Sequence, residues 1–131
     1  MGDRLKILVV EDDPTYREFV AMVLRGAGHE VFEAEDGASA RELARVHAPD
    51  AIILDLRLPD ATGYAIATEL RRAIVHANTS IILLTADRFP ERDAAEAAGI
   101  DIVISKPVEA DLVTGIVDHV RARRLRRNSS P

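Results

Sequence analysis

Short apolar runs alternate with longer stretches of helical periodicity along the 131-residue chain. The runs are Leu5–Val10, Glu30–Ala34, Ala51–Leu54, Ile81–Leu84 and Asp101–Ile104. Most are unbroken Val, Ile and Leu rather than alternating apolar and polar positions, which is the pattern of strands covered on both faces in a parallel sheet. The second run is more polar, which predicts an edge position. Between the runs lie helix signals. Asp13-Pro14 reads as a cap followed by proline at the first helical position, predicting a helix to about Ala27 with Gly28 as its stop. Asp36 caps a second helix through about His47, which Pro49 ends. The loop Pro59-Asp60-Ala61-Thr62-Gly63 leads into a third, from about Tyr64 to Val75. A short Ala-rich fourth runs from about Pro90 to Ala98 and stops at Gly99, and a fifth runs from about Glu109 to Arg124. Asn128-Ser129-Ser130-Pro131 reads as frayed, so residues 1–124 are assigned to one domain and 125–131 to a basic tail.

Repeated strand–helix units imply one parallel sheet with helices on both faces and right-handed crossovers. Five strands and five helices suit a flavodoxin-like three-layer sandwich with strand order 2-1-3-4-5, in which ligands gather beyond the carboxyl ends of the strands.

Composition narrows the chemistry. Hydrophobic residues make up 47%, enough for a packed interior, but aromatics are only 4% and Trp is absent, leaving no base-stacking platform. Without Cys the chain has no disulfide, thiolate metal site or cysteine nucleophile. No window of about 18 apolar residues is present, which predicts no membrane span. Met1–Lys6 leads into the first run without a cleavable-signal pattern, so a cytoplasmic location is expected. The net charge of −5 is uneven: residues 121–127 hold five Arg and 121–131 no acid. All 22 acidic residues and only 12 of the 17 Lys and Arg therefore lie in residues 1–120. Such a body repels nucleic-acid phosphates. The Arg-rich end reads either as an anionic-partner contact or, more plainly, as a solvated helix end whose cations suit the terminal dipole.

Polar residues stand where ligands are expected. The first strand ends in Glu11-Asp12-Asp13, the third in Asp55, the fourth in Thr85 and the fifth in Ser105-Lys106-Pro107. Clustered carboxylates raise one another's pKa unless a cation is present, and oxygen ligands suit a hard divalent ion such as Mg²⁺. A metal, an ammonium and a hydroxyl around a carboxylate are the parts needed to stabilise an incoming phosphoryl group, and the carboxylate itself can be the nucleophile. Each part has an ordinary reading too: helix cap, loop cap, turn and surface cation. Their coincidence at four strand ends is what points to a site.

The residues Ile7-Leu8-Val9-Val10-Glu11-Asp12-Asp13-Pro14, Ile53-Leu54-Asp55-Leu56-Arg57-Leu58-Pro59 with Gly63, Leu83-Leu84-Thr85-Ala86 and Lys106-Pro107 resemble the receiver domain of bacterial two-component response regulators. The resemblance covers residue 5 to about 122. It implies Asp55 as phosphoacceptor, charged by a phosphohistidine on a sensor histidine kinase or histidine phosphotransfer protein. It also implies that Asp12 binds Mg²⁺ directly, that Glu11 acts largely through water, and that the backbone carbonyl of Arg57 is a further ligand. Thr85 would bond a phosphoryl oxygen and move on activation, Lys106 would pair with the phosphoryl group, and Asp13 would serve mainly as a helix cap. The chain would then be a signalling switch that assists its own phosphorylation and dephosphorylation, addressing an output partner, rather than a turnover enzyme.

Departures are equally specific. Val103 stands where many receivers place a switching aromatic, and Val108 where a Phe often follows Lys-Pro. The interval from Thr85 to Lys106 is about one residue short of the family pattern, which predicts a remodelled fourth helix around Phe89-Pro90. Arg57 and Asp87 read first as two solvated loop charges; the alternative is that their side chains meet across the site entrance and slow loss of the phosphoryl group. His29, His47, His76 and His119 have no metal-ligand spacing and are expected at the surface. Tyr16, Phe19, Phe32 and Tyr64 suit packing. The competing function classes are an Mg²⁺-dependent phosphatase with an aspartyl nucleophile and a binding module that has lost phosphorylation. The phosphatase would need a second Asp where Arg57 stands. A flavin carrier lacks its phosphate loop after the first strand.

Overall fold

The structure, a computed structural model, describes residues 4–75, 78–87, 91–107 and 109–128. The expectations for His76, for Phe89-Pro90, for Val108 and for residues 129–131 lie outside the described residues.

The apolar runs form five strands, β1 (Lys6–Val10), β2 (Glu30–Ala34), β3 (Ala51–Asp55), β4 (Ser80–Thr85) and β5 (Ile102–Ser105). They pair in parallel in the order β2-β1-β3-β4-β5, as predicted. The unbroken Val/Ile/Leu sequences of β3 and β4 are buried throughout, while the more polar β2 and the short β5 take the edges and are only partly covered. Successive side chains feed opposite layers. Ile7, Val9, Ile53, Ile82 and Leu84 pack with Val20, Leu24, Val113, Ile116 and Val120, whereas Leu8, Val10, Ile52, Leu54, Ile81 and Leu83 pack with Ala40, Ala44, Ile66, Leu70 and Ala95.

The helices are α1 (Pro14–Gly26), α2 (Gly37–His47), α3 (Gly63–Ala73), α4 (Arg92–Ala97) and α5 (Ala110–Asn128). Asp13 caps α1 through the Thr15 N–H at 3.0 Å, and Asp36 caps α2 through the Ser39 N–H at 2.8 Å. Gly28 follows α1 at φ +95°, a conformation only glycine adopts without strain, and turns the chain back into β2. Helix α5 runs four residues beyond Arg124, because its Arg and Leu are good helix formers and its terminal cations suit the dipole. Its arginines are not all solvated: Arg123 pairs with Asp101 at 2.8 Å and Arg124 with Asp50 at 3.5 Å.

The surface placement expected for the histidines is corrected at two positions: His47 is half-buried and stacks on Phe32 with ring centroids 3.9 Å apart. His29 is 5% exposed, with Nδ1 accepting the Leu5 N–H at 3.0 Å. The Gly28 turn drives the ring inward, where it serves as the acceptor for a backbone donor just ahead of β1. Among the described residues no helix is long and apolar enough to cross a membrane.

Candidate functional site

The carboxyl ends of β1, β3, β4 and β5 leave the sheet on one edge, and the acidic residues expected there converge. Glu11 follows β1, its N–H bonded to Ala34 O at 3.0 Å, and its side chain is buried at 4% exposure. Asp55 closes β3 at 9% exposure, and Asp12 is exposed. One carboxylate oxygen from each of Glu11, Asp12 and Asp55 lies within 4.8 Å of the others. Lys106 reaches in from the end of β5, with Nζ 2.5 Å from Glu11 Oε1 and 3.1 Å from Asp55 Oδ1. The Leu56 N–H at 2.9 Å further fixes Asp55 Oδ1, and the Asp13 N–H at 3.3 Å reaches Glu11 Oε2.

Burial pushes the Glu11 carboxyl up to about 7; the negative charge of Asp55 adds to this, and the Lys106 hydrogen bond opposes it. Desolvation pulls the Lys106 ammonium down, but its bonds to Glu11 and Asp55 outweigh it and hold the group above its ordinary value. One ammonium among three carboxylates leaves a surplus of negative charge on an all-oxygen donor set. That chemistry fits a hard divalent cation.

Thr85, at 1% exposure, ends β4 one position beyond the Asp55–Leu84 pair. Its hydroxyl oxygen accepts the Asp87 N–H at 3.0 Å, and its carbonyl accepts the Lys106 N–H at 2.8 Å. The threonine is therefore joined both to the loop after β4 and to the lysine. Between the loops after β3 and β4, Arg57 Nη2 approaches the two Asp87 carboxylate oxygens at 3.1 and 3.4 Å, although the Arg57 side chain remains 78% exposed. The two charges meet, as one of the two sequence readings anticipates.

The loop after Asp55 is shaped by a small antiparallel bridge between Arg57 and Thr62. Its hydrogen bonds run from Gly63 N to Leu56 O at 2.6 Å and from Leu58 N to Ala61 O at 3.2 Å, so the Arg57 carbonyl is not one of their acceptors. A Cβ on Gly63 would lie 2.6 Å from Asp55 O and 3.0 Å from Leu56 Cα. Only glycine allows α3 to start this close to the acid's own backbone.

Several supporting residues escape a reading of the chain. Arg17 on α1 donates to Glu11 O at 2.7 Å and pairs with Glu33 at 3.4 Å, tying the acidic loop to α1 and β2. Asp60 accepts from Gly37 N at 2.8 Å and Ala38 N at 3.0 Å, so the loop after β3 caps α2. Asp101 joins Arg71, Arg123 and the Ile81 N–H at the opposite end of the sheet. None of these follows from local spacing, since each partner belongs to another element. Tyr16, Phe19, Phe32 and Tyr64 do pack against the core, yet the Tyr16 ring also lies under Lys106 Nζ, 4.8 Å from its centroid. Val103 is half-buried against the α2–α3–α4 side of the core, with no ring to rotate there.

The response regulator receiver domain profile matches residues 7–118. The chain is 36% identical over 129 residues to a probable transcriptional regulatory protein, TcrX, of Mycobacterium tuberculosis, covering 98% of this chain and 52% of that protein. It is 33% identical to the transcriptional regulatory protein PhoP of Escherichia coli, covering 95% of this chain and 54% of that one. The chain thus spans about half the length of these relatives. Among solved structures, the chemotaxis response regulator CheY4 of Vibrio cholerae superposes with a TM-score of 0.84 at 29% identity, covering 90% of this chain and 99% of that one. The receiver domain of the Francisella response regulator 1452 gives 0.82 at 26% identity, covering 92% and 99%.

Proposed function

The chain belongs to the response regulator receiver domain family, and from that premise we propose that it is a cytoplasmic switch phosphorylated on Asp55 by a phosphohistidine of a sensor kinase or phosphotransfer protein. The observation that carries this reading is the Asp55 carboxylate, set at a strand end beside the Lys106 ammonium and two further acids. A carboxylate oxygen of Asp55 attacks the phosphorus, the P–N bond breaks, and the imidazole of the donor leaves. Glu11, Asp12, Asp55 and the Arg57 carbonyl would hold Mg²⁺, which when bound offsets negative charge on the carboxylates and the phosphoryl oxygens.

The chain's own groups then rearrange. Lys106 turns part of its hydrogen bonding from Glu11 to a phosphoryl oxygen. The Thr85 hydroxyl, an acceptor from Asp87 N in the structure, donates to another phosphoryl oxygen. Because that hydroxyl and Asp87 are bonded, the movement draws on the loop after β4 and on the Arg57–Asp87 pair above it. Without a ring at Val103, the signal passes through this loop and the Thr85–Lys106 backbone link rather than through an aromatic rotamer. A partner protein, or a further domain of a longer regulator, reads the altered loop.

Incubation with Mg²⁺ and acetyl phosphate, followed by intact mass, tests the proposal. The expected result is a gain of one phosphate that is lost in Asp55→Asn and after chelation. Sustained turnover of a free phosphate ester, with no covalent gain at Asp55, would favour the hydrolase class instead.

A further inference from the structure

Lys106 has a long, flexible stem and stands at the end of a short edge strand, so nothing in its own element holds its ammonium in one place. Two of the directions around Nζ are taken by Glu11 Oε1 at 2.5 Å and Asp55 Oδ1 at 3.1 Å. A third is covered by the face of Tyr16, whose centroid lies 4.8 Å from Nζ. Helical side chains tilt toward the helix N-terminus. A ring in the first turn of α1, after the Asp13 cap and Pro14, is therefore carried back over the β1–α1 loop toward the pocket. The ring is itself braced: Phe19 meets it at 6.5 Å and 54°, both rings pack on the core, and the neighbouring Arg17 bonds the Glu11 carbonyl.

We infer that Tyr16 is a positioning residue for phosphoryl transfer, its ring face holding the Lys106 ammonium against the acidic pocket so that the cation is already placed when the phosphoryl group arrives. This rests on Asp55 being the phosphoacceptor. The negative face of an aromatic ring attracts an ammonium, and does so more strongly where the pair is partly desolvated. The contact also restricts an otherwise mobile side chain before the reaction begins. When Lys106 exchanges a carboxylate oxygen for a phosphoryl oxygen, the ring keeps it from swinging out toward water. The ring, not the hydroxyl, carries this role.

The chain contains only two lysines, Lys6 and Lys106, so their side-chain methylene signals are readily told apart by NMR, with exposed Lys6 as the internal reference. In the unphosphorylated protein the Lys106 ε-protons should lie upfield of those of Lys6, shifted by the Tyr16 ring. Tyr16→Phe should keep that shift and an uptake rate from acetyl phosphate within about twofold of the original. Tyr16→Leu should lose the shift and slow uptake by about five- to thirty-fold, the range a partly desolvated cation–π contact carries. Tyr16→Met gives the same comparison if Leu disturbs folding, which circular dichroism would report. The inference is overturned if the Lys106 signals coincide with those of Lys6 in the unsubstituted protein, if Tyr16→Leu or Tyr16→Met takes up phosphate at the original rate, or if Tyr16→Phe fails as badly as Leu. Failure of the unsubstituted protein to take up phosphate would instead overturn the reading of Asp55, and this role with it, whatever the NMR shows.

Discussion

At the scale of single residues, His29 shows how one buried acceptor ties stability to acidity. Desolvation holds its imidazole below the ordinary value of 6.5, with the charge of Arg121 acting the same way. Above 6.5 neither the folded nor the unfolded chain protonates this ring. Below 6.5 the unfolded chain takes up a proton that the folded chain resists, so stability falls as pH drops toward the depressed folded value. His29→Asn places an oxygen near the Nδ1 position without a titrating ring. The difference in urea midpoint between the original protein and this variant should shrink from pH 7.5 to pH 5.5; a difference independent of pH would show that His29 does not couple. Arg57 behaves differently because it is exposed. Its pairing with Asp87 contributes only ~0–1 kcal/mol to stability, so Arg57→Ala should leave the melting temperature almost unchanged. If the pair hinders water at the entrance, the same variant should shorten the lifetime of the phosphorylated form by up to about fivefold. An unchanged lifetime would show two surface charges and no gate.

Among elements, the loop after β3 serves two helices at once. Thr62 caps α3 through Ala65 N at 3.2 Å, while Asp60 accepts from the first two N–H groups of α2. Asp60→Ala should therefore destabilise the protein by about 1–2 kcal/mol, the usual cost of losing a helix cap. Hydrogen exchange should quicken first in the opening turn of α2 rather than in α3; equal protection in both helices would remove Asp60 from that role. The Asp13 and Asp36 caps were legible in the chain because cap and helix are adjacent. Asp60 was not, because its helix begins 23 positions earlier in the sequence. The same limit applies at the last helix: Arg123 and Arg124 of α5 pair with Asp101 and Asp50, partners that no local window contains.

For the whole molecule, strand order and the convergence of Glu11, Asp12, Asp55, Thr85 and Lys106 on one sheet edge follow from repeated strand–helix units, and those were readable. Burial of His29, the Arg17 and Asp101 links and the Tyr16–Lys106 contact depend on how layers close over one another, which periodicity does not encode. The sheet separates two tasks. The acidic cluster and Lys106 occupy the carboxyl ends of the strands, and the Arg71–Asp101–Arg123 cluster fastens α3, α5 and the β5 approach at the other end. The Lys106–Glu11 bond has a consequence of its own, since it spans 95 positions and joins two strands that are not neighbours. It supplies a built-in counterion. With that charge in place, the buried Glu11 and Asp55 carboxylates can sit side by side without relying on a bound cation for all of their neutralisation.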